Sequence, residues 1–119
     1  MNRRDEGVLS LEFALALPLL LLAVLTALQG LVLGRDVLLA HEAARAGARA
    51  AATSTSNAAV DRAVTAAIGD RAAGVTIQPA GRSAGDTVTV EVVLDTHLGP
   101  KRFEVRATAA TRVEPGVGQ

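Results

Sequence analysis

The side chain with the most chemical consequence in this chain of 119 residues is a carboxylate set among aliphatic neighbours. Glu12 stands five residues after Gly7 in GVLSLEFALALPLLLLAVLTALQG, the stretch from Gly7 to Gly30. An isolated acidic side chain at the centre of a bilayer helix costs about 2.5–3.5 kcal/mol on insertion scales. A nearby ammonium offsets that cost by charge pairing at low dielectric. Otherwise the side chain must sit at headgroup level and reach outward to water.

The remaining candidates for chemistry are weaker. His41-Glu42 and the distant His97 offer no H-E-x-x-H pattern and no third ligand at metal-binding spacing, so a solvated helix face is expected and no metal. Ser10, Ser54, Ser56 and Ser83 lack a nucleophile-elbow context. No Gly-rich loop follows a strand in the manner of a phosphate cradle. There is no cysteine, which excludes thiol nucleophiles, disulfides and Cys-based zinc sites. Twelve basic residues balance twelve acidic ones, and the aromatics are two Phe with no Trp or Tyr. Neither a basic stripe nor a base-stacking surface is expected, and hence no nucleic acid partner. The expectation is a chain that is not an enzyme, with no cofactor and no small-molecule substrate.

The elements that position Glu12 come next. Residues 1–7, MNRRDEG, form a short charged leader ending in Gly7. From Phe13 to Leu33 the only strongly polar side chain is Gln29. Those residues span about 32 Å at about 1.5 Å each, enough to cross a hydrocarbon core of about 30 Å. This predicts a transmembrane helix over about residues 11–34. A cleaved secretory signal fits poorly, because its apolar region is shorter and the Ala46-Gly47-Ala48 match comes too late. Arg3 and Arg4 do not settle orientation, since Arg35, Arg45 and Arg49 lie beyond the apolar run. Residues 35–52, RDVLLAHEAARAGARAAA, contain no Pro and many strong helix formers, so one continuous helix is predicted from about Leu9 to Ala52. Pro18 removes one backbone bond and is a candidate kink. Gly30-Leu31-Val32-Leu33-Gly34 is a G-x-x-x-G candidate for helix–helix contact. Rows of small residues, Ala40-Ala44-Ala48-Ala52 and Ala43-Gly47-Ala51, permit close approach of another backbone.

Beyond Thr53 the pattern predicts a small head. TSTSN, Thr53–Asn57, reads as a turn with Asn57 as N-cap. Val60, Val64 and Ile68 form one stripe on a short helix, weakened at Gly69 and ended at Gly74. The period then changes to two. Val75–Gln78 reads as a strand, stopped by Pro79. Thr87–Leu94 alternates with Val88, Val90 and Val92 on one face. Phe103–Ala109 alternates with Phe103, Val105, Ala107 and Ala109 on one face, after a turn at Gly99-Pro100. Three antiparallel strands with one apolar face, covered by the Ala rows and the Val60 stripe, make the expected class α+β. The expected division is a leader at 1–7, a helix at 8–52, a head at 53–112 and a disordered tail at 113–119.

The boundary G-x-x-x-x-E-F, Gly7 through Val8 and Glu12 to Phe13, opening a hydrophobic helix, resembles the type IV pilin superfamily. Leu17-Pro18 and EAARAGARAAA, Glu42–Ala52, make it similar to one branch, the TadE-like minor pseudopilins of tight-adherence (Flp) pilus systems. The resemblance covers Gly7–Ala52 and is only architectural beyond. It implies a pilin-like fold, with a long helix bearing a small head. It also implies cleavage between Gly7 and Val8 by a prepilin peptidase, which gives Val8 a free amine and makes Glu12 the fifth mature residue. Glu12 of an incoming subunit then meets the Val8 amine of the preceding one. The implied partners are the lipid bilayer, the peptidase, other minor pilins, the major pilin and a membrane platform. The implied location is the inner or cytoplasmic membrane, with the N-terminus cytoplasmic and the head outside. Pro18 becomes a flexible point for a subunit leaving the bilayer. One departure is a head without cysteines and poor in aromatics, whose core is thin and marginal alone. The alternative reading is an uncleaved single-pass adaptor whose head binds an envelope partner; it needs neither Gly7 nor a free amine.

Overall fold

A computed structural model describes residues 3–116. The chain divides into two compact units, Met1–Val32 and Leu33–Gln119. Helix α1, Arg3–Thr53, contributes to both. It begins earlier than the predicted Leu9, because Arg3–Gly7 are themselves helical; Asp5 and Glu6 in the first turn suit the positive end of the helix dipole.

In the first unit every described side chain is exposed. Leucine, valine and phenylalanine exposed along whole turns are unfavourable in water and favourable in lipid. The helix is long and apolar enough to cross a membrane. It remains helical on both sides of Pro18. Thr26, one of the few polar side chains in the run, donates its hydroxyl to the Leu22 carbonyl at 2.8 Å and so needs no outside acceptor.

The second unit is the head. It comprises the C-terminal part of α1, helix α2 (Asn57–Ile68), a three-residue 3₁₀ turn at Gly69–Arg71, and strands β1 (Ala72–Gln78), β2 (Thr87–Leu98) and β3 (Lys101–Arg112). The sheet order is β1-β2-β3, antiparallel throughout. Thr76 opposes Glu91, which opposes Thr108, and Leu98 opposes Lys101 across the two-residue turn Gly99-Pro100. Gly99 adopts φ 60°, the left-handed conformation that such a turn requires.

The core follows from the two periodicities. On central strand β2 the side chains of Val88, Val90, Val92 and Leu94 are fully buried. Ala40, Ala43, Ala44, Ala48 and Ala51 from α1, with Val60, Val64 and Ile68 from α2, bury against them. Small residues let the α1 backbone approach closely. A Cβ at Gly47 would lie 2.9 Å from Val64 Cγ2 and 3.0 Å from Val90 Cγ1. The opposite face of the sheet is polar, with Arg106 reaching Glu91 at 3.3 Å and Glu104 at 3.0 Å. Such exposed pairs contribute little stability.

Three expectations need correction, and a fourth, the face of Phe103, holds with an added detail. Asn57 is not the N-cap of α2. Ser56 holds that position, and Asn57 is helical with its side chain engaged elsewhere. The helix ends at Ile68 rather than Gly74, because Gly69 at φ 65° turns the chain out of the helical region; Gly74 is already in β1. Phe103 shares the register of the apolar face but is 43% exposed, since it lies on the edge strand beyond the helical cover. The tail expected from 113 is ordered at its start. Val113 is fully buried, donates to Asp86 O at 2.8 Å and accepts from Gly85 N at 3.0 Å, while Glu114 N donates to the Ala52 carbonyl at 2.9 Å. The last residues of that tail, 117–119, lie outside the described residues.

Candidate functional site

The helical rise places Val8 and Glu12 one turn apart on the same face of α1. Both are exposed, as is Phe13 at 71%. Among the described residues Glu12 forms no ion pair. The residues at the leader boundary, Gly7 and Val8, are helical and exposed; a Cβ at Gly7 would meet nothing within 4 Å. The carboxylate is exposed, with no ion-pair partner among the described residues.

The small residues singled out as packing positions separate into two groups. Ala43 and Gly47 are consumed inside the head, against α2 and β2. Gly30 and Gly34 have open space where a side chain would project. Pro18 lies in the exposed run.

Sequence reasoning missed a second carboxylate. Asp36, only 2% exposed, accepts a hydrogen bond from Arg71 Nη2 at 2.8 Å and one from the Thr96 hydroxyl. This triad ties three elements together: α1, the turn after α2, and β2. Burial alone pushes the Asp36 carboxyl up. The Thr96 and Arg71 hydrogen bonds, with the charges of Arg71 and Arg35, outweigh it and hold the group below its ordinary value of 3.8. A signal was present, since Asp36, Ala40, Ala43, Ala44 and Gly47 fall on one helical stripe and a carboxylate on that stripe must be buried. Its partners, 35 and 60 residues away, could not be read from spacing.

Arg82 is a comparable device at the other end of the head. It is 6% exposed, donating to Asn57 Oδ1 at 2.6 Å and to the Ser54 carbonyl at 2.9 Å, so it pins the Thr53–Asn57 turn to the loop before β2. The remaining candidates do not converge. His41 and Glu42 are exposed on α1, and His97 is exposed on β2. Among the described residues no group of three or more His, Cys, Asp or Glu side chains could hold a metal ion. An open groove lined in part by Glu42, Arg45, Arg49 and Thr111 carries mixed charge with no reactive grouping.

No family model, curated protein or solved structure matches the chain. What stands on geometry is a long apolar N-terminal helix, a candidate membrane anchor, and an α+β head of one short helix and three antiparallel strands.

Proposed function

We propose that this chain is a TadE-like minor pseudopilin that acts in assembly of a tight-adherence pilus after its leader is cut between Gly7 and Val8. The observation that carries the reading is Glu12, an exposed carboxylate in an apolar helix, placed one turn from the residue that would become the chain start. In a bilayer, an anion with no ion-pair partner among the described residues is stabilised by a cation from a neighbouring subunit. The amine of Val8 on a neighbouring subunit is such a cation, and it exists only after cleavage. The pilin-like arrangement of a long helix and small head agrees with this role. In it α1 anchors the subunit in the inner membrane, N-terminus cytoplasmic and head outside, among minor pilins, the major pilin and the assembly platform.

The test is Glu12→Ala in a pilus-producing host. The reading expects normal membrane insertion with lost piliation. Unchanged piliation overturns it.

A further inference from the structure

Three contacts fix the direction of β2 within the head. Glu114 meets Ala52, and Thr87 opposes Arg112, so the start of β2 lies at the Ala52 end of α1. Thr96 meets Asp36, so the end of β2 lies where the head unit begins, three residues after Leu33. Strand β2 then runs on past the Asp36 contact to Leu98. At about 3.3 Å per residue, this carries the Gly99-Pro100 turn roughly 7–10 Å beyond the triad, away from the Ala52 end.

The composition of that turn is unusual for this head. Leu98 is half-buried, Gly99 and Pro100 are exposed, Lys101 and Arg102 are exposed, and Phe103 is 43% exposed. Lys101 is the chain's single lysine and Phe103 is one of its two phenylalanines. Arg35 and Arg71 stand at the same end, around the triad. The nearby acids are Asp36, already paired with Arg71, Asp70 in the 3₁₀ turn, Glu104, which pairs with Arg106, and Asp95, which opposes Glu104 across the two strands. Lys101 and Arg102 form no ion pair among the described residues, and exposed aromatic and aliphatic surface beside them suits an interface where acyl chains meet anionic headgroups.

We infer that the β2–β3 hairpin tip, Leu98–Phe103, docks onto the anionic phospholipid headgroups of the membrane in which α1 is anchored. This rests on the membrane-spanning reading of α1, though not on leader cleavage or pilus assembly. Lys101 and Arg102 contact phosphates, Phe103 and Leu98 enter the interface, and the Asp36–Thr96–Arg71 triad holds the strand at the height that permits it. The head is thereby held at the bilayer at a second point besides its helix.

The chain contains no tryptophan, so Phe103→Trp provides a single reporter. The full-length variant is reconstituted in vesicles of phosphatidylcholine alone, or with phosphatidylglycerol. The expected result is blue-shifted emission and quenching by brominated acyl chains, both stronger with phosphatidylglycerol. Lys101→Glu with Arg102→Glu should reverse both, each cation being worth about fivefold in the docked-to-free ratio at an anionic surface. Carbonate-resistant membrane association of every variant reports insertion of α1 separately. Inserted protein whose introduced indole stays water-exposed in both vesicles overturns the inference, and leaves the tip free for a protein partner. Equal quenching with and without phosphatidylglycerol overturns the headgroup assignment.

Discussion

Two of the small-x-x-x-small pairs on helix α1, Gly30/Gly34 and Ala43/Gly47, lie thirteen residues apart. At Gly47 an added methyl would collide with Val64 and Val90; at Gly30 and Gly34 it would meet nothing within 4 Å. The same motif is a structural necessity in one place and an open surface in the other. What differs is the partner: among the described residues α2 and β2 pack on one pair and nothing packs on the other. Two carboxylates repeat the contrast. Asp36 finds a guanidinium and a hydroxyl within the head, whereas Glu12 has no ion-pair partner among the described residues. The C-terminal part of the helix is packed within the head, and the N-terminal part is apolar and exposed, a candidate membrane anchor.

Substitutions can break or sharpen this contrast. The largest effect is expected in the head core, where Leu94→Ala removes a fully buried side chain of the central strand. A loss of about 2–5 kcal/mol is expected, read as a lower urea midpoint of the detergent-solubilised full chain. Gly47→Ala should cost about 1–3 kcal/mol by overpacking in the same titration. Asp36→Asn should cost about 1–3 kcal/mol, since the hydrogen bonds to Arg71 and Thr96 weaken, and should remove a pH dependence as well. The native carboxyl titrates below its unfolded value, so its contribution is complete above about pH 4 and is lost as pH falls through the depressed native pKa. Wild type should thus lose stability in that acid window more steeply than the variant; equal slopes would remove Asp36 from the account. The smallest effect is expected at Gly30→Ala, within about 0.5 kcal/mol for the head. A head destabilised as much as by Gly47→Ala would erase the distinction between the two pairs.

Much of the head was legible because its signals are local. The alternation of Val88, Val90 and Val92, the Val60-Val64-Ile68 stripe and the Gly99-Pro100 turn each reflect a period or a backbone requirement within a few residues. The continuous helix was legible for the same reason. What escaped depends on tertiary contact. The partners of Asp36, Arg71 and Thr96, and those of Arg82, the Ser54 carbonyl and Asn57, lie far off in the chain and meet only in the folded head. Val113 continues the Ala107-Ala109-Thr111 parity of β3, but its Gly- and Pro-containing surroundings masked that parity. Glu12 has no ion-pair partner among the described residues, and the role proposed for it depends on a cut after Gly7 that no local pattern of packing reports.

That event is open to direct measurement. The full chain co-expressed with a prepilin peptidase should yield, by intact mass, a product that starts at Val8, and a Gly7 substitution should abolish it. A chain that keeps Met1 through Gly7 in peptidase-positive cells would contradict the account and favour an uncleaved anchored adaptor.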